Sequence, residues 1–167
     1  MSSQSGLTET IYADALILSL FSGEGTVRQM LVVEAALARA QAQCGVIPAD
    51  AARIIHDVCH GDDIAAIVDL DAIATAAASA GNIAIPFVKQ LTAAVAQADA
   101  EAARYVHWGA TSQDIMDTAL VLQIRQAAAR MDQALRRAVQ ACAALTAAHR
   151  DTVMVGRTWL QLSLIHI

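Results

Sequence analysis

From Gln113 to Arg150 the chain contains neither glycine nor proline, the two residues that end a helix most readily. Within that run Val121, Ile124, Ala128, Met131, Leu135, Ala138, Cys142 and Leu145 recur at steps of three and four residues. Such spacing lines one side of an α-helix and forms the seam of a helical bundle. At about 1.5 Å per residue this helix is on the order of 55 Å long. A compact globule of this chain length has a diameter near ~40 Å. The helix is therefore expected to pack on helices this sequence does not contain, supplied by further chain or by other subunits.

Composition agrees with a helical fold. The chain of 167 residues is 56% hydrophobic but only 4% aromatic, and much of the apolar content is alanine. Alanine is the best helix former and a poor filler of space, so closely packed helices and few strands are expected. The fold class read from the sequence is all-α. A net charge of −5 offers no basic patch, which disfavours nucleic acid as a partner. The longest charge-free window, Ala72 to Val88, is interrupted by Gly81, Asn82 and Pro86, so no membrane span is expected. Glu9 and Asp14 stand where a signal peptide carries its basic region, and Cys44, Cys59 and Cys142 form no paired or motif-spaced set. A reduced, cytoplasmic location follows as the expectation.

Short helices joined by tight turns make residues 1–105 read as one N-terminal α-helical domain. Gly23 and Gly25 mark a loop, with Thr26 as cap of a helix that carries Val27, Met30, Leu31, Glu34, Leu37 and Ala38 on one face and stops at Gly45. A second helix is expected from about Ala49 to Cys59. Asp62 or Asp63 then caps a segment through Val68, and Asp71 opens another through Ser79. Gly81-Asn82 breaks that helix, and Pro86 fits the first turn of the next, Ile85 to Asp99, where a missing N–H is harmless. His56, Cys59 and His60 share one helical face at metal-ligand spacing, but no fourth ligand lies nearby, so the histidines read as helix-end residues and no metal is expected.

The chemistry concentrates in Val106 to Thr118, Val-His-Trp-Gly-Ala-Thr-Ser-Gln-Asp-Ile-Met-Asp-Thr. Thr111 or Ser112 is a good N-cap, and Asp114 is placed to bond back to the first free N–H groups. The long helix therefore starts near Ser112. Its positive end lies beside the hydroxyls of Thr111 and Ser112, the amide of Gln113 and the imidazole of His107, a set suited to a carboxylate. Asp114 reads as a cap and not as a base.

This string closely resembles the first signature of the fumarase/aspartase superfamily. With Trp108 and the Thr-Ala-Leu-Val-Leu-Gln-Ile-Arg that follows at 118–125, it is most similar to the 3-carboxy-cis,cis-muconate cycloisomerases of protocatechuate breakdown, the β-ketoadipate pathway. Residues 146–161 resemble the second signature, Gly-x-Thr-His-x-Gln, with Trp159 where most lyases of the superfamily carry histidine. That departure fits the cycloisomerases and disfavours an intact adenylosuccinate, argininosuccinate or fumarate lyase site. His149 is not a substitute by position and reads as structural.

The resemblance implies an N-terminal piece of an enzyme about three times longer. Residues 106–161 would open the central bundle domain, and 162–167 read as a candidate non-native tail. The serine loop that acts as the family's base would lie outside this sequence. Catalytic roles would fall to His107, Ser112 and Trp159, the last by shaping the pocket. Asn82, Thr111, Ser112, Gln113, Arg157, Thr158 and Gln161 would bind a tricarboxylate substrate, with Arg157 as the bidentate carboxylate partner. No metal or organic cofactor is implied, and the complete enzyme would be a homotetramer whose sites join signatures from three subunits. This chain is expected to be inactive alone. Two other readings stand beside this one: an adenylosuccinate lyase-like carbon–nitrogen lyase, and a non-catalytic helical oligomerisation module, which would have no need of His107, Thr111, Ser112 and Gln113 at a helix start.

Overall fold

The computed structural model describes residues 9–61, 63–153, 156–157 and 162–163. They divide into two compact units, 1–128 and 129–167, with the boundary inside the long helix. Helices α1 (Glu9–Tyr12) and α2 (Ala15–Leu20) precede α3 (Gly23–Gln43), α4 (Ala49–Cys59), α5 (Leu70–Ala80), α6 (Ala84–Ala98) and α7 (Ser112–Ala148). Two 3-10 turns, Ile64–Ala66 and Ala102–Tyr105, join α4 to α5 and α6 to α7. Strands β1 (Gly156–Arg157) and β2 (Leu162–Ser163) pair antiparallel, with Gly156 opposite Ser163.

The expected all-α architecture is present, with several boundaries corrected by specific caps. Helix α3 begins at Gly23, capped by Ser22, whose Oγ accepts from Gly25 N at 3.0 Å. Gly23 and Gly25 thus lie in the first turn of a helix and not in a loop. A Cβ on Gly25 would stand 2.2 Å from the Ser19 carbonyl oxygen, so glycine lets the end of α2 close on α3. Thr26 is not the cap; its hydroxyl accepts from Gln123 Nε2 at 3.1 Å. Helix α5 is capped by Asp69 rather than Asp71, through Ala72 N at 3.0 Å. Asp63 caps only a short 3-10 turn, through Ala65 N at 2.9 Å, where a longer segment was expected. Gly81 closes α5 at φ 78, the left-handed geometry that glycine accepts without strain.

The core of the first unit lies among α3, α4, α6 and the start of α7, filled by Met30, Leu31, Ile55, Phe87, Leu91 and Ile115, each 2% exposed or less. Helix α7 joins this core through Ile115, Ala119, Gln123 and Ala127, an i, i+4 stripe. Gln123, buried, donates to the Leu20 carbonyl as well as to Thr26, which ties α7 to the α2–α3 junction. The seam read from the sequence is a different face. Val121, Ile124, Met131, Leu135 and Leu145 are all at least half exposed, and every residue from 131 to 150 is exposed.

Candidate functional site

The signature segment is held by α3. Glu34 and Gln41, seven residues apart, lie about two turns apart on one side of that helix. Gln41 Nε2 donates to the Trp108 carbonyl at 2.6 Å, and Glu34 Oε1 lies 2.6 Å from His107 Nδ1. His107 adopts φ 56, a left-handed conformation that residues with a Cβ avoid at a cost on the order of 1–2 kcal/mol. Gly109, at φ 68, takes the next such position in the turn, and the loop then enters α7 at Ser112. Trp108 is half exposed, its ring tilted against Tyr105 at 5.7 Å.

At the helix start, the reciprocal cap expected from the sequence is formed. Asp114 Oδ2 accepts from Thr111 N at 3.0 Å and from Thr111 Oγ1 at 2.9 Å, while Thr111 Oγ1 accepts from Asp114 N at 3.4 Å. These bonds from the Thr111 backbone and hydroxyl hold the Asp114 carboxyl below its ordinary value of 3.8. A capping carboxylate of this kind stays ionised and is a poor base. Its pH signature has a definite sign. The stabilisation is fully present above 3.8 and is lost as pH falls through the lower folded value. In urea melts the stability gap between wild type and Asp114→Asn should therefore narrow on acidification below pH 3.8; a gap unchanged by pH would remove Asp114 from the cap.

The remaining candidates separate. Gln113 Nε2 donates to Asp117 Oδ1 at 2.6 Å, so its amide is already engaged along α7. Ser112 is half-buried, and its hydroxyl makes no hydrogen bond among the described residues. Asn82 sits in the α5–α6 turn, where its Oδ1 accepts from Ile85 N at 3.0 Å and caps α6. Arg157 lies in β1 of the second unit, while Thr158, Trp159 and Gln161 fall outside the described residues. His107, Thr111, Ser112 and Gln113 are thus together at one junction, with Asn82 on a separate turn.

Glu34 is the residue the sequence reading passed over. It is 1% exposed, and burial pushes its carboxyl above the ordinary range, outweighing the hydrogen bond and charge of His107, which act in the opposite direction. Its signal was available, since a glutamate interrupts the otherwise apolar face of α3. The His56, Cys59 and His60 set does not converge on a metal. Cys59 is buried, with its thiol pushed up to about 12 by burial and then by the Glu34 charge. His56 and His60 stack at 4.0 Å, and His60 Nδ1–H donates to the His56 carbonyl at 2.9 Å.

Among the described residues, grooves flank α3 on more than one side. One of about 380 Å³ runs between α3 and α7, lined by Val33, Leu37, Gly109, Asp114 and Thr118. Another of about 390 Å³, with Arg39, Arg53 and His56, lies between α3 and α4 and contains none of the signature residues.

Comparison with known proteins places this geometry. A family model described as lyase matches residues 10–163. The chain belongs to this lyase family. Within 160 residues it is 51% identical to a 3-carboxy-cis,cis-muconate cycloisomerase of Bradyrhizobium diazoefficiens, covering 96% of this chain and 35% of that protein. The crystal structure of β-carboxy-cis,cis-muconate cycloisomerase from Acinetobacter calcoaceticus superposes with a TM-score of 0.85 at 48% identity, covering 95% of this chain and 36% of the other. That of the 3-carboxy-cis,cis-muconate lactonizing enzyme from Pseudomonas putida gives 0.84 at 43%, covering 94% and 35%. The lyase-family chain thus spans about a third of the length of these relatives. The helical fold expected from the fumarase/aspartase resemblance is borne out, and so is the likeness to the cycloisomerases. Among the described residues, no helix is long and apolar enough to cross a membrane.

Proposed function

We propose that this chain supplies one carboxylate-binding wall of a cycloisomerase that interconverts 3-carboxy-cis,cis-muconate and a carboxymuconolactone. The observation that carries the reading is the junction at the start of α7, where an uncommitted Ser112 hydroxyl lies at the positive end of a 37-residue helix, next to a capped Thr111 and a histidine held by α3. The names of the relatives supply the substrate.

In this reaction one substrate carboxylate adds to a conjugated double bond and closes a γ-lactone, and a proton goes to the carbon beside another carboxylate. Negative charge gathers on that carboxylate as an enediolate. Donors fixed in a water-poor site stabilise such charge, one well-placed donor by about 3–4 kcal/mol. The first N–H groups of α7 and the Ser112 hydroxyl are donors of this kind. Arg157, Thr158 and Gln161 would contribute a second wall, with Trp159 shaping the pocket and Asn82 completing it. The complete site would form in a cytoplasmic homotetramer, with residues 1–105 as an N-terminal domain and 106–161 opening the bundle. The exposed seam of α7 suits such packing against neighbouring helices.

The test is ultraviolet loss of the conjugated diene of 3-carboxy-cis,cis-muconate, with this chain and a gene-extended version assayed side by side. Turnover is expected from the extended chain only. No turnover by a folded, tetrameric extended chain would overturn the substrate assignment, and release of fumarate from adenylosuccinate by that chain would put a carbon–nitrogen lyase in its place.

A further inference from the structure

Among the described residues Glu34 is the only buried charged side chain. It lies on the apolar face of α3 beside Met30, Leu31 and Ala38, where an unpartnered carboxylate would be costly. Its partner is Nδ1 of His107, 73 residues later in the sequence, and the histidine side chain is 17% exposed. The ring is held there although the His107 backbone is in the left-handed region at φ 56. Fold stability alone does not require such a pair, since an apolar side chain at position 34 would fill the same space without desolvating a charge.

We propose that Glu34 is a positioning residue that keeps the proton of neutral His107 on Nδ1 and leaves Nε2 as the nitrogen that meets the ligand. At 2.6 Å the Glu34 carboxylate, in its ionised form, can only accept the Nδ1–H, and in that form it excludes the other tautomer. A neutral ring in this state has only a lone pair at Nε2. It cannot donate to a substrate carboxylate, but it can take a proton. Once protonated, it is an imidazolium that donates from Nε2 while Glu34 holds the opposite side. His107 is therefore a proton acceptor or a cationic carboxylate partner, and not the neutral donor that the motif alone suggests. Two other titratable groups act on the pair: Cys59 of α4 beside Glu34, and Asp114 of α7 beside His107. Neither replaces Glu34, because the thiol stays protonated and the Asp114 carboxylate is occupied by Thr111.

The proton position is independent of the reaction; its consequence for catalysis rests on the cycloisomerase reading. Long-range ¹H–¹⁵N spectra of the labelled chain, with His107 assigned by the loss of its signals in His107→Asn, report the tautomer directly. The neutral wild-type ring should carry its proton on Nδ1, and Glu34→Leu should move the majority to Nε2, the tautomer favoured by free imidazole. Glu34→Met serves the same purpose if circular dichroism shows that the leucine variant does not fold. An Nε2–H ring in wild type, or an Nδ1–H ring that survives both substitutions, would overturn the assignment. In the gene-extended enzyme Glu34→Leu should lower kcat on the order of tenfold or more with a smaller change in KM. An unchanged kcat with the tautomer moved would refute the catalytic consequence. A correct tautomer in an extended chain without turnover would count against the cycloisomerase reading alone, and turnover with an Nε2–H ring against the positioning role alone.

Discussion

Ser112→Ala in the gene-extended enzyme is expected to lower kcat/KM for 3-carboxy-cis,cis-muconate by tenfold or more, up to roughly a thousandfold if its hydroxyl meets the developing enediolate. The argument is one of hydrogen-bond accounting. Thr111 and Asp114 satisfy each other across the first turn of α7, and Gln113 is turned to Asp117. Ser112 has no partner among the described residues, although it occupies the same positive helix end. Its substitution thus removes a donor and leaves the cap in place. Thr111→Ala should also lower kcat/KM by tenfold or more, but it breaks the cap as well and should cost about 1 kcal/mol of stability. Steady-state kinetics with urea melts on both variants separates the two effects. Wild-type kinetics in Ser112→Ala would remove that residue from the site.

Phe87→Ala is expected to destabilise the chain by about 3–5 kcal/mol. The side chain is fully buried on α6 and is the largest such group among the described residues, in a protein that is only 4% aromatic. Alanines 35, 38, 51 and 52 belong to the same hydrophobic core, and they have no side-chain length with which to close a void. A loss of that size is a large fraction of the ~5–15 kcal/mol by which folded domains are stable. Phe87→Leu, which keeps much of the volume, should cost far less. Urea unfolding followed by far-ultraviolet circular dichroism measures both, and a loss below about 1 kcal/mol for the alanine variant would mean that the core relaxes into the space.

Much of the helix pattern can be read from neighbouring residues because its determinants are local. The start of α7 at Ser112, the Thr111–Asp114 cap and the stop at Gly81 follow from side chains within three or four positions of the groups they satisfy. The errors arose where two local candidates competed. Thr26 and Ser22 can each cap α3, as Asp71 and Asp69 can each cap α5. The choice went to the residue that left Thr26 free to bind Gln123, and to Asp69, whose backbone N–H also reaches Gln90 at 2.7 Å. Neither of those partners is near in sequence.

The sequence by itself determined the all-α class, the position of the signature at the start of a long helix, and the resemblance to the cycloisomerases. Periodicity, capping and motif chemistry act over a few residues and survive in a one-dimensional reading. Only the tertiary structure decided that α7 uses its Ile115–Ala127 stripe against the core and leaves the longer seam exposed. It also decided that Glu34, which reads as one irregularity in an apolar stripe, is the partner of His107 across 73 residues of chain. The reason is physical: a buried carboxylate must find a hydrogen-bond partner in space, and which one it finds depends on how α3 and the signature loop pack.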